Sequence, residues 1–207
     1  MGSRNQEEDL ALKIGVLSIQ GDVSEHVAAL QTAAELEGIK ADIIEVKTPE
    51  KILSVSALVL PGGESTTLGK LLAKTGCDKA IKKLHKKGAP IWGTCAGLIL
   101  LAKEAENTEK GGQPLLKLLD AKVDRNAFGR QKESFEEEIV IPVLGKKPFH
   151  AVFIRAPAVE RVWGDAEALA SYGGFIVMVR QNNLLGTAFH PELTGDLRIH
   201  RLFLSQL

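Results

Sequence analysis

The stretch Ile91-Trp92-Gly93-Thr94-Cys95-Ala96-Gly97-Leu98-Ile99-Leu100-Leu101-Ala102 constrains the fold more than any other in the chain. An apolar segment ends at Gly93, a helix-forming apolar run starts at Gly97, and one cysteine stands between them. A strand that turns sharply into a helix projects the residue at the turn clear of the sheet, as the Gly-x-Ser-x-Gly nucleophile elbow does. Flanking glycines tolerate such a turn and let a substrate approach the backbone. A helix beginning just after the cysteine points its positive end at the sulfur and favours thiolate. A buried structural cysteine, packing as a small hydrophobe, is the other reading of the same residue.

The chain before this stretch reads as alternating strands and helices. Lys13 to Ile19 is a buried strand, and Val23, Val27, Leu30 and Ala34 recur at helical spacing until Gly38. Ala41 to Val46 and Ala57 to Leu60 follow as second and third strands, and Cys77 to Lys87 as a helix closed by Gly88. Strand, helix, strand at this spacing implies a parallel sheet with crossover helices. In such a sheet, ligands bind beyond the carboxyl ends of the strands. The third strand ends in Pro61-Gly62-Gly63-Glu64-Ser65-Thr66-Thr67, a tight turn with bare backbone N–H groups. It reads either as a substrate-holding, oxyanion-stabilising loop or as an ordinary turn whose Ser65, Thr66 or Thr67 caps the next helix. Cys77 has no elbow around it and reads as structural.

Beyond the elbow, residues 107–114 form a polar loop. Asp120 to Arg125, Glu137 to Pro142 and His150 to Ile154 read as strands, and Phe175 to Arg180 with Leu184 to Phe189 as a hairpin. Arg125, beside Phe128 and Gly129, suits either a bidentate carboxylate contact or a partner-facing ion pair, and Ile154-Arg155 reads the same way. The hairpin delivers His190-Pro191-Glu192. In extended backbone, residues two apart face one side, so His190 and Glu192 are expected to share a site, the carboxylate orienting the imidazole. Cysteine with an oriented histidine is the minimum for activated thiol catalysis. Residues 195–207 close the chain as a helix with Leu197, Leu202 and Phe203 facing the core. His26, His85, His150 and His200 lie on different elements and read as satisfied or exposed.

Composition removes several function classes. Lys+Arg and Asp+Glu are both 26, so no basic patch announces nucleic acid. Metal-spaced Cys/His clusters, Walker-type loops and Gly-x-Gly-x-x-Gly are absent from the sequence, so neither a metal nor a cofactor is expected. Two cysteines make no disulfide framework, which suits a reducing, cytoplasmic compartment. Residues 1–12 are polar and acidic, unlike a signal peptide, and read as a flexible extension to a single domain over 13–207. No apolar run has membrane-spanning length.

Pro61-Gly-Gly-Glu-Ser65, Gly93-Thr-Cys-Ala-Gly97 and His190-Pro-Glu192, in that order, resemble the class I (triad) glutamine amidotransferases. Arg125-Asn126 with Phe128-Gly129, Phe153-Ile-Arg-Ala-Pro157 and Phe189-His-Pro-Glu-Leu-Thr194 narrow the resemblance to one branch, the glutaminase subunits of pyridoxal 5′-phosphate synthases. It covers residue 13 to the end. The resemblance implies an α/β, flavodoxin-like three-layer sandwich with a mostly parallel central sheet. It implies Cys95 as nucleophile on the glutamine amide, His190 as its base and later acid, and Glu192 as the residue that orients His190. Backbone N–H groups of Gly63 and Ala96 would form the oxyanion hole. Gly62, Gly63, Glu64, Ser65, Arg125, Ile154 and Arg155 would bind L-glutamine. The implied partner is a (β/α)₈-barrel synthase subunit that receives the ammonia and whose docking orders the oxyanion hole. A Gly62-Gly63 loop makes the necessary peptide flip cheap. Two rivals remain from the residues: a triad glutaminase serving another synthase, and a flavodoxin-like cysteine hydrolase that does not use glutamine.

Overall fold

Ile14, Val16 and Leu17 of the first strand, β1 (Leu12–Leu17), are fully buried, the pattern of a strand covered on both faces. It lies between β2 (Ala41–Val46) and β3 (Ala57–Leu60), parallel to both, with Val16 opposite Glu45 and Val59. The structure is a computed structural model and describes residues 12–106, 112–125, 127–128 and 134–207. Residues 1–11 of the expected extension and 107–111 of the expected polar loop lie outside the described residues.

The crossover from β1 to β2 is α1 (Val23–Leu36), and that from β2 to β3 contains α2 (Pro49–Leu53). The second helix escapes periodicity because it has only five residues; Thr48 caps it by accepting from the Lys51 amide, and Pro49 opens it. Two helices, α3 (Ser65–Thr75) and α4 (Cys77–Lys86), lead to β4 (Ile91–Thr94), and the six-residue α5 (Ala96–Leu101) follows. Next come β5 (Ala102–Glu106), β6 (Leu119–Asp124), β7 (Ser134–Ile139), β8 (Phe149–Ile154), β9 (Ala158–Val162), β10 (Glu167–Tyr172), β11 (Phe175–Gln181), β12 (Leu184–Thr187) and α6 (Arg198–Leu204). The last helix is shorter than expected from residues 195–207. Its core face is Ile199, His200, Phe203 and Leu204, while Leu202 is only half-buried.

The main sheet runs β2-β1-β3-β4-β12-β11-β9-β6-β5, with β10 beside β11. From β2 to β12 all pairings are parallel, and β11 turns back antiparallel at the Asn182-Asn183 hairpin. Helices α1 and α6 pack together on one face; α3 contacts α4 and α5, and α2 contacts α4, on the other. The product is one α/β unit with a large, mostly parallel sheet between helical layers. The strands β5, β9 and β10 were not legible in the sequence. Ala102-Lys-Glu-Ala-Glu106 continues without a turn signal from the apolar run of α5, and the other two lack clean alternation. No helix among the described residues is long and apolar enough to cross a membrane.

Outside the main sheet, β7 and β8 form a separate antiparallel pair. Two strands alone are marginal in water. Aromatic packing secures this pair: Phe135 stacks on Phe153 at 4.6 Å, and Phe128, Tyr172 and Phe175 close around them. Aromatic contacts of this kind contribute about 0.5–1.5 kcal/mol each beyond their buried area. The His190 amide also donates to the Val152 carbonyl at 2.8 Å, so β8 is held against the loop that carries the histidine.

Candidate active site

Three neighbouring parallel strands bring the predicted site together. Leu60 of β3 pairs with Gly93 of β4, and Thr187 of β12 pairs with Thr94. Their carboxyl ends therefore open at one level, with Pro61-Gly62-Gly63 following β3, Cys95 following β4 and His190 following β12 after Ala188-Phe189. The end of β1 adds Gln20-Gly21-Asp22 on the same edge. This is the crevice an open parallel sheet offers a ligand.

Cys95 sits in a sharp elbow with φ +49° and ψ −104°, a conformation costly for a side-chain-bearing residue and found at sites that the surrounding fold over-determines. Its amide donates to the Thr187 carbonyl at 2.8 Å, and its carbonyl accepts from Ile99. The two flanking glycines are steric requirements. A Cβ on Gly97 would lie inside the Leu60 carbonyl group, and one on Gly93 would collide with the backbone of Gly97. α5 begins at Ala96, so the amides of its first turn have no intrahelical acceptors and lie next to the sulfur. The thiol is nearly buried, at 7 % exposure, and lies 3.8 Å from the Ile154 carbonyl.

His190 is buried, hydrogen-bonded to Glu192, and near enough to Cys95 for that residue to raise its pKa. Its Nδ1 stands 2.7 Å from Glu192 Oε1, which leaves Nε2 for the sulfur. Burial pushes the imidazole pKa down, but the hydrogen bonds and negative charge of Cys95 and Glu192 outweigh it and raise it to about 10. Both neighbours therefore favour the protonated form of the ring. Gly62 packs on its face: a Cβ there would come within 2.6 Å of His190 Cε1. Burial raises the Glu192 pKa, opposed by the His190 charge. The His-x-Glu pair does not form through extended backbone as expected. β12 ends at Thr187, and Pro191–Leu193 is a short 3-10 turn that folds Glu192 back onto the ring. Proline at the first position of the turn, with its fixed φ, makes that geometry natural.

The remaining predicted residues occupy distinct places. Gly63 has φ +134° and faces the Gln20 side chain. The Ser65 hydroxyl is buried and donates to Gln113, as does that of Thr66. None of the three hydroxyl residues caps α3. Glu64 does, accepting from the amides of Thr66 at 3.1 Å and Thr67 at 2.6 Å, because its longer side chain reaches back while backbone position 64 is already extended. Arg125 Nη2 donates to the same carboxylate at 3.0 Å. Ile154 and Arg155 stand exposed at the end of β8, with Arg155 at φ +41°.

Partial burial raises the Glu64 pKa, but the Thr67 and Thr66 amides and the Arg125 charge reverse this and bring it to about 2. A depressed carboxylate contributes stability that is present above its unfolded value near 4.5 and lost as pH falls through about 2. The side chain is half-exposed, so the contribution is small, under about 1 kcal/mol. Glu64→Gln is expected to lower the melting temperature slightly at pH 7, with the gap to wild type closing between pH 4.5 and 2. A gap independent of pH, read by thermal melts across that range, would remove the charge from the account.

Sequence reading passed over three neighbours of the triad. Asp22 Oδ2 lies 3.5 Å from His190 Nδ1. His26, fully buried on α1, places Nε2 3.1 Å from Thr94 Oγ1 and 3.4 Å from Glu192 Oε2. Trp92 donates from Nε1 to Thr187 beneath them. The one available signal was that His26 falls on the apolar face with Val23, Val27 and Leu30. His200 is neither exposed nor satisfied, contrary to expectation: it is fully buried and both ring nitrogens lack partners among the described residues. Burial lowers its pKa to about 4, so it sits neutral against Trp92 at 5.0 Å.

Known proteins share this architecture and sequence. The model of the SNO glutamine amidotransferase family matches residues 16–207. The chain is 52 % identical over 195 residues to a pyridoxal 5′-phosphate synthase subunit PdxT from Pelotomaculum thermopropionicum, covering 94 % of this chain and 95 % of that one. It is 51 % identical over 194 residues to the protein of the same name from Herpetosiphon aurantiacus, covering 93 % and 99 %. A crystal structure of a glutamine amidotransferase superposes with a TM-score of 0.81 at 46 % identity, over 93 % of this chain and 97 % of that one. A Thermotoga maritima glutamine amidotransferase, at 16 % identity and a TM-score of 0.60, covering 95 % and 84 %, shares the fold. With a family model spanning nearly the whole chain, and relatives about half identical along their full length, the chain belongs to the SNO glutamine amidotransferase family.

Proposed function

We propose that this protein is the glutaminase subunit of a pyridoxal 5′-phosphate synthase, hydrolysing L-glutamine to L-glutamate and ammonia. The observation that carries the reading is the buried imidazole held by Glu192 at 2.7 Å on one nitrogen, with Cys95 near enough to raise its pKa. The Cys95 thiolate attacks the side-chain amide carbon, forming a C–S bond and an oxyanion. N–H groups of Gly63 and Ala96 receive that oxyanion. His190 gives its proton to the amide nitrogen, the C–N bond breaks and ammonia leaves, with a thioester remaining. Water then attacks the thioester while His190 takes its proton, and glutamate departs with the thiolate restored. Ammonia is a poor leaving group unless protonated as it departs, so an imidazolium beside the nucleophile suits the first half-reaction. Glu192 keeps that charge balanced in a dry site.

Glutamine is held in this reading by Gly62, Gly63, Glu64, Ser65, Arg125, Ile154 and Arg155. Arg125 offers a bidentate partner for its α-carboxylate once it leaves Glu64. Neither a metal nor a cofactor enters any step. The ammonia passes to a (β/α)₈-barrel synthase subunit, in the cytoplasm. The relatives' name, a subunit of pyridoxal 5′-phosphate synthase, supports a synthase as partner. The domain proposed for this work is residues 13–207, with 1–12 as an extension.

Ammonia release from glutamine, measured with and without a barrel synthase, tests the proposal. Activity is expected to rise sharply when the synthase is added, and His190→Asn is expected to lose at least about 10³-fold, since groups that act as a unit fail together. Equal activity of wild type and His190→Asn would remove the histidine from the mechanism. A synthase without effect would point to another partner.

A further inference from the structure

Glu192 is buried with one oxygen on His190, while its other oxygen, Oε2, has no hydrogen bond that meets ordinary geometry. His26 Nε2 lies 3.4 Å from it across the α1 interface. Both side chains are fully shielded from solvent. His26 Nε2 also stands 3.1 Å from Thr94 Oγ1, and its Nδ1 has no partner. We infer that His26 is a positioning residue of the thiol site: as the Nε2–H tautomer it donates to Glu192 Oε2, keeping that carboxylate ionised and turned toward His190. The inference rests on the triad reading above and adds one histidine behind it.

The tautomer follows from the surroundings. Burial holds His26 neutral, its pKa well below the ordinary value, and the charge of His190 acts in the same direction. A neutral imidazole has a single N–H. On Nδ1 that hydrogen would meet no acceptor among the described residues, and a lone pair on Nε2 would face an anionic oxygen. On Nε2 it faces Glu192 and Thr94 together. The groups around the pair are few. Glu192 is faced by His190, by its own backbone amide and by His26, with the Asp22 charge adding to its raised pKa. His26 is faced by Thr94, by Trp92 at 5.4 Å and by His200 at 6.1 Å. Among these, His26 is the only neutral side chain whose N–H lies within 3.5 Å of Glu192 Oε2.

The consequence concerns the Cys95–His190 pair. A buried carboxylate that loses one of its donors takes up a proton more readily. Once neutral, Glu192 no longer balances the imidazolium, and the thiolate beside it loses its counter-charge. The readout is the rate of Cys95 alkylation by iodoacetamide against pH, with peptide mapping to separate Cys95 from Cys77. It needs neither glutamine nor a synthase, so it stays informative even if the protein acts on another amide.

His26→Leu removes the donor and is expected to move the alkylation midpoint up by about one pH unit. His26→Gln, whose amide nitrogen reaches nearly the place of Nε2, is expected to restore most of the wild-type profile. A profile unchanged in His26→Leu, or shifted equally in both variants, would overturn the inference and leave His26 a packing residue. Wild-type protein labelled with ¹⁵N-histidine supplies a readout free of any substitution. The long-range ¹⁵N–¹H pattern is expected to show the proton of His26 on Nε2, and a proton on Nδ1 would overturn the inference.

Discussion

Cys95→Ala is expected to lower ammonia release from glutamine by at least about 10⁴-fold, to the level of uncatalysed turnover by the remaining site. The loss is chemical, because alanine keeps everything the backbone needs. The elbow is held by the Cys95 amide on Thr187, by the Ile99 amide on the Cys95 carbonyl, and by the glycines on either side. The side chain contributes only a weak contact to the Ile154 carbonyl at 3.8 Å. The variant should therefore melt within a few degrees of wild type. The glutamine analogue 6-diazo-5-oxo-norleucine is expected to modify Cys95 in the wild type and nothing in the variant. Cys77 is fully buried, with its sulfur near the Lys47 carbonyl, and should stay unmodified. Substantial residual hydrolysis, or labelling at Cys77, would move the nucleophile elsewhere.

Gly97→Ala should be among the most destabilising single methyl groups added to this chain. The new Cβ would occupy the space of the Leu60 carbonyl, and backbone cannot rotate away as a side-chain end can. Either α5 lifts from β3 or the strand shifts, and both separate Cys95 from the Gly62-Gly63 loop. Overpacking in a core that can relax costs about 1–3 kcal/mol, and a clash between two backbones exceeds that range. A loss above about 3 kcal/mol is expected in denaturant titrations, or failure to accumulate as folded protein. Gly195→Ala is the control. A Cβ there meets nothing within 4 Å and its φ is ordinary, so the change should stay within about 0.5 kcal/mol. Equal stability of the two variants would contradict the close approach of α5 to β3.

Much of this site was legible because its signals are local. The elbow is written in twelve consecutive residues, and the parallel strands β1 to β4 are short apolar runs separated by helical periodicity and glycine stops. The same locality explains the failures. A cap supplied by Glu64 instead of Ser65 depends on one backbone angle. The turn that folds Glu192 onto His190 replaces the extended reading, although both give the same neighbours. β9 and β10 gain their strand character from pairing with β6 and β11, not from a pattern of their own.

Sequence alone determined which atoms are available for chemistry: one thiol at a strand-to-helix turn, one imidazole and one carboxylate two positions apart, and glycines where backbones must touch. Identity and short-range order are written directly in a chain. Tertiary structure alone decided which distant groups modify that chemistry. Arg125 on Glu64, Gln113 beneath Ser65, and His26 behind Glu192 join residues far apart in the chain. Such contacts arise when α1, β4 and the loop after β12 are pressed together by the burial of Trp92, Phe189 and Phe203. No local periodicity encodes them, because the force that makes them is the packing of the whole core.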